Sequence, residues 1–108
     1  MAISFKLKTG SVTTTAAVHL TAAKQTIVTG ASISNKGSAN TTVAVWVEKV
    51  GVIIGDIIRN GAVPVGSALI VAGGSSPKIT LEAGDKIVAQ AINGASAMDF
   101  LISYAEID

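Results

Sequence analysis

Hydrophobic and polar residues alternate along most of this chain with a period of two, the mark of strands that bury one face. Ile3, Phe5 and Leu7 alternate with Ser4, Lys6 and Lys8 before Gly10-Ser11 ends the run. Val12–Leu20 is rich in Thr and Ala, and its β-branched threonines favour an extended chain. Thr21–Lys24 is the one place where a short helical turn is expected. In Gln25–Asn35, Ile27, Thr29, Ala31 and Ile33 fall on one face and Val28, Gly30 and Ser32 on the other; Gly30 suggests a bulge there. The clearest strand is Thr41–Lys49, with Val43, Val45 and Val47 facing one way and Ala44, Trp46 and Glu48 the other.

Turn residues punctuate these runs. Asn35–Asn40 is a turn by composition, and Val50–Ile58 reads as extended, with a break at Gly51 and room for a bulge at Gly55. Arg59-Asn60-Gly61 has the Asn-Gly pair that joins hairpin strands. Ala62–Val71 is a further strand, and Pro64 near its start favours an edge. Ala72–Pro77 is a loop. Thr80–Ile92 then reads as strand, Gly84-Asp85 corner and strand, with Asp85 bonding its own backbone two residues on. Asn93–Ser96 turns the chain into a last strand, Met98–Ile107.

Turn signals at about 8–12-residue spacing predict an all-β fold. The expected architecture is a single antiparallel β-sandwich over residues 1–108, jelly-roll-like, with about eight strands; an immunoglobulin-like sandwich is the near alternative. Val43, Val45, Val47, Ile87, Ala89, Phe100 and Ile102 are expected to face inward.

Composition sharpens the picture. Hydrophobic residues make up 49% of the chain but aromatics only 4%, so the core must be thin and built from Ala, Val and Ile. Charged residues make up 14%, against about 25% in an ordinary soluble domain, which leaves wide neutral surface for contact with other subunits. The net charge of +1 comes from scattered single charges, so no nucleic-acid surface is expected. No apolar stretch approaches the ~18 residues of a membrane span, and the N-terminus does not look like a signal peptide. Cysteine is absent, which removes disulfides, thiolate catalysis and cysteine-bound metals.

Candidate chemistry is sparse. His19 is the single histidine, and with no second His or Cys partner it reads as structural or surface-lying. No GxSxG turn marks a nucleophile. Gly73-Gly74-Ser75-Ser76 lacks the Lys and the helix of a phosphate cradle and reads as a flexible loop. Asp56, Glu82, Asp85 and Asp99 lie in separate turns without calcium-loop spacing. Trp46 reads as a core residue in preference to a contact platform, because a thin core needs volume. No catalytic, cofactor-binding or metal-ligating constellation emerges, and no cofactor is expected.

Gln25–Asn35, the Gly37-Ser38-Ala39 turn into Thr42–Val47, Leu81–Ile87 with its Leu-Glu-Ala-Gly-Asp, and Ile102–Ile107 with its Tyr form one pattern. That pattern spans about 80 of the 108 residues and resembles the small β-sandwich virion proteins of tailed bacteriophages. The resemblance implies a mechanical, non-enzymatic role, first of all capsid decoration: a cement protein on the outer shell that clamps neighbouring capsid subunits. A tail, neck or fibre-associated protein is the rival within that class. A carbohydrate-binding module is the rival outside it, and would need exposed aromatics. The implied partners are other virion proteins, the major capsid protein foremost, and further copies of this chain, with a trimer favoured. The implied location is the capsid surface, after synthesis in the host cytoplasm. Expected contact residues are Ile3, Phe5 and Lys6 on a free N-terminal strand able to add to a neighbour's sheet edge, Asn35 and Lys36 in an exposed turn, and Gly73, Ser75 and Ser76 in the following loop.

Overall fold

Nine strands form where the β-branched runs lie between turns, in a computed structural model that describes residues 2–73, 79–93 and 97–107. They are β1 (Ile3–Val12), β2 (Ala17–Thr21), β3 (Gln25–Asn35), β4 (Thr41–Lys49), β5 (Val52–Val63), β6 (Ala68–Ala72), β7 (Ile79–Leu81), β8 (Lys86–Asn93) and β9 (Met98–Ile107). The first sheet has the order β1-β9-β3-β6, with the short β7 also paired to β3. The second has the order β2-β8-β4-β5. All pairings are antiparallel, and neighbours distant in sequence alternate in both sheets, which is the jelly-roll arrangement.

The core lies between the sheets. Val43, Val45, Ile87, Ala89, Phe100 and Ile102 are all within 1% of complete burial, and Val47 packs against them half-buried. Trp46 takes the opposite face, contrary to the core reading. It is half-buried on the outside of the second sheet, where its Nε1–H donates to Glu48 Oε2 at 2.7 Å. The period of two leaves no choice: with the three valines inside, Trp46 must point out.

Several local expectations give way to bulges and crossings. β3 carries its bulge where Gly30 suggested, with the register to β9 slipping between Val28 and Gly30. One extra residue inverts the faces on either side of it, so Val28 is buried with Ala31 and Ile33, whereas Ile27 is half-buried and Thr29 exposed, contrary to the shared face expected for Ile27, Thr29, Ala31 and Ile33. Asn60-Gly61 is not a reversal. It lies within β5, where β4 residues Val43 and Val45 face Gly61 and Ile58, a further bulge. A Cβ on Gly61 would come within 2.6 Å of Leu69 Cδ2 and 2.7 Å of Ile58 Cγ2, so packing, not turn geometry, requires the glycine. The Gly84-Asp85 corner does turn, but it carries the chain from one sheet to the other, because β7 pairs with β3 and β8 with β2 and β4. Asp85 there accepts from the Glu82 N–H through Oδ2 at 3.0 Å, three residues back rather than two on. Thr13–Ala16 breaks the expected Val12–Leu20 strand, with the Thr13 hydroxyl bonded to Thr15, and Ala22–Lys24 bends without helix.

The β4–β5 reversal is made by Val50-Gly51, with φ of 53° and 77°. Positive φ at both central residues is the type I′ hairpin turn, which favours Asn-Gly. Valine is a poor occupant, since its branched Cβ crowds the carbonyl in the left-handed region. Val50 is also 90% exposed and recovers nothing through burial. Val50→Asn is therefore expected to raise stability by about 1 kcal/mol, read as a higher urea midpoint at unchanged slope.

Candidate functional site

The residues that stand out in the fold form a surface, not a cleft. β1 pairs with β9 over its whole length, from Ile3 opposite Ile107 to Val12 opposite Met98. That register turns Ile3, Phe5 and Leu7 to the outer face of the first sheet, where they are 53, 79 and 61% exposed. β9 and β3 extend the face in rows: Phe5 lies beside Ala105 and then Ile27, Thr9 beside Leu101, then Ser32, then Ile70. Leu101 and Ile70 are themselves 42 and 52% exposed. The result is an apolar band across four strands.

Small residues hollow its middle. Gly30, Ala31, Ser32, Ser103 and Gly73 line a depression of about 440 Å3 walled by Ile70 and Leu101. Gly73 fixes its floor: with φ of 89°, a Cβ there would come within 2.6 Å of the Thr29 carbonyl oxygen. A second apolar cluster, Val50, Val52, Ile53 and Ile54, projects from the β4–β5 hairpin of the other sheet.

The expected contact residues divide. Ile3 and Phe5 lie together on the outer band. Lys6 faces the other way and holds Glu106 Oε1 through Nζ at 2.7 Å. Lys36 is exposed and pairs with Asp99 Oδ2 at 3.0 Å, and Asp99 lies two residues before Leu101 on β9. Asn35 is buried, not exposed: its amide N–H groups donate to the Ala39 and Val63 carbonyls at 2.8 and 2.9 Å, and its Oδ1 accepts from the Gly37 N–H at 3.0 Å. It ties the turn from inside and offers nothing to a partner. Gly73 is likewise buried, against β3. Ser75 and Ser76 lie outside the described residues. β1 is not a free arm, since ten residues of it are paired in register.

Sequence reasoning missed Leu101, Ile70 and the hairpin cluster as surface. Ile53 and Ile54 carried no signal, because adjacent apolar residues in a bulged strand give no periodicity to read.

The titratable groups do other work. His19 is buried, its ring centroid 5.1 Å from that of Phe100, and its Nε2 has no hydrogen-bond partner among the described residues. Gly10 makes room for it, since a Cβ there would lie 3.1 Å from Nδ1. Burial, with Lys8 adding to it, pushes the imidazole below its ordinary 6.5. The native state thus favours neutral histidine. Above pH 6.5 both folded and unfolded forms are neutral; below it the unfolded chain binds the proton first. Stability is therefore expected to fall as pH drops below about 6.5, and His19→Phe should flatten that slope in urea titrations at stepped pH. Glu82 and Asp85 share one turn and face Lys49, at 2.8 and 3.6 Å. That pairing raises the lysine pKa, the hydrogen bond to Glu82 foremost. Among the described residues no three His, Asp or Glu side chains converge as a metal ion would require.

Compared with known proteins, the chain is similar in structure to a subunit of the Bacillus endospore appendages, a family of disulfide-linked pili. The likeness has a TM-score of 0.52 at 14% identity and covers 97% of this chain and 86% of the other. At that identity it shows the fold alone. No protein-family model matches the chain, and no curated protein matches it in sequence.

Proposed function

We propose that the protein is a non-enzymatic structural subunit of a tailed-bacteriophage virion, a decoration protein that binds the capsid shell in many copies and stabilises the head. The observation that carries this reading is the exposed apolar band of the first sheet, centred on Phe5. An apolar area of that kind on a sparsely charged chain favours standing contact with a neighbour over life as a free domain. The virion pattern along the sequence supplies the setting. Each copy would press the band against the major capsid protein, and modest contacts summed over many copies become a large total.

The test uses virions stripped of this chain. Added protein is expected to rebind at a fixed copy number and to raise the temperature at which heads release DNA. Phe5→Glu with Leu7→Glu, both exposed in the subunit, should fold normally and fail to rebind. A parent protein that binds no shell overturns the reading.

The fold favours one second reading, a filament subunit, since the similar chain belongs to a pilus. With no cysteine, such a filament would be held without disulfides, by contacts between sheets alone. Electron microscopy of the purified chain at high concentration separates the two: filaments formed without any shell favour the second.

A further inference from the structure

We propose that two copies of the protein join through the open edge of β1, antiparallel about a two-fold axis at Phe5, so that the first sheet runs continuously across the pair. β1 ends its sheet and pairs on one side only, with β9. Residues 3–8 are exposed on both faces, so no other described part of the chain covers them. Such an edge presents a row of backbone N–H and C=O groups as a template for another strand.

The pattern of β1 selects its own copy as that strand. About Phe5, Ile3 mirrors Leu7 and Ser4 mirrors Lys6. The two-fold therefore sets Phe5 against Phe5, Ile3 against Leu7, Ser4 against Lys6 and Ala2 against Lys8. Apolar residues meet on the outer face, and each lysine meets a small residue on the inner one. An axis at Lys6 or at Leu7 would set lysine against lysine, which is destabilising. An axis between residues would put Phe5 against Ser4 or a lysine and flip one sheet over. Edge lysines commonly guard against pairing. Here Lys6 is drawn back over its own sheet by Glu106, at 2.7 Å, which leaves the edge approachable. The two apolar bands then join across the axis into one surface, with an aromatic pair at its centre. A two-fold contact makes dimers or even-numbered assemblies, in place of the trimer expected from the virion resemblance.

This pairing rests on the reading of the chain as a many-copy subunit, but its test needs no particle. The parent has no cysteine, so single cysteines report register without background. Phe5→Cys is expected to form a disulfide with itself. Ile3→Cys and Leu7→Cys should link when the two variants are mixed and not when each is alone. Alone, like positions lie roughly 13 Å apart along the strands, beyond the ~4 Å Cβ separation a disulfide needs. Phe5→Lys, which should keep the parent's circular dichroism, is expected to sediment as a monomer where the parent is a dimer. Linking that is equal in mixed and separate samples overturns the proposal. So does linking of Ile3→Cys with Phe5→Cys in preference to Leu7→Cys, a monomeric parent, or a dimeric Phe5→Lys. A chain that dimerises in this register yet binds no shell overturns the virion reading alone. One that binds shells without such linking overturns only the pairing.

Discussion

Phe100→Ala is expected to lower stability by about 3–5 kcal/mol, the largest loss of any single truncation in this core. The chain has two phenylalanines, and Phe5 is on the surface, so Phe100 is the one buried phenyl ring. Trp46 and Tyr104 are each half-buried and cannot replace its volume. Phe100 is 1% exposed on the inner face of β9, between Gly10 on β1 and Ile33 on β3. Truncation leaves a hole walled mostly by small and β-branched side chains, which have little reach to close it. His19 also loses the ring it packs against at a tilt of 44°, leaving a buried imidazole with still fewer neighbours. For a domain of this size, the loss corresponds to a melting temperature at least about 12 °C lower. Differential scanning calorimetry measures it directly. A shift of only a few degrees would mean that the sheets close over the gap.

Asn35→Ala is expected to cost about 2–4 kcal/mol, well above an ordinary surface change, because the Val63 carbonyl it serves is buried away from water. The Asn35 amide donates to the carbonyl of Val63, the end of β5 in the second sheet, while its own backbone belongs to β3 in the first. Its backbone adds bonds from its N–H to Ser67 O and from Gly66 N–H to its carbonyl, at 2.9 and 3.0 Å. One buried amide thus holds both sheets and two turns at one end of the sandwich. Alanine keeps the backbone bonds but leaves the Val63 carbonyl and the Gly37 N–H without their side-chain partner. Urea unfolding should show a lower midpoint, and hydrogen exchange should show faster opening at residues 36–40 than in the core strands. A loss below half a kilocalorie per mole would mean that water enters and substitutes for the amide.

These two residues also mark where the sequence could and could not be read. Phe100 is expected inside because Met98, Phe100 and Ile102 share one face of a period of two, and that is enough. Asn35 was read as an exposed turn residue, since Asn before Lys-Gly-Ser has turn chemistry wherever it lies. Its burial depends on Val63, 28 residues away, and no local pattern carries that. The same holds for strands. Val43, Val45 and Val47 declare their face, whereas Ile27 and Val28 exchange faces through a single bulged residue whose position was visible and whose consequence was not. The candidate surface was half legible. Ile3 and Phe5 are named by alternation alone. Leu101 and Ile70 join them only because β9 and β6 flank β3, a pairing set by the whole topology.

The place of β9 has a consequence for how the molecule comes into being. This strand, with β1 on one side and β3 on the other, is the interior of the first sheet, yet it is synthesised after every strand it joins. β1 emerges from the ribosome with its apolar residues and waits for a partner that lies about a hundred residues downstream, as the pairing of Ile3 with Ile107 shows. Until then β1 has two open edges and β3 lacks its longest neighbour. The first sheet therefore closes only once β9, the last made of its strands, is available. Closing loops of that length before any contact rewards them is slow, on the order of milliseconds to seconds. In that interval the nascent chain is most exposed to joining another chain by mistake.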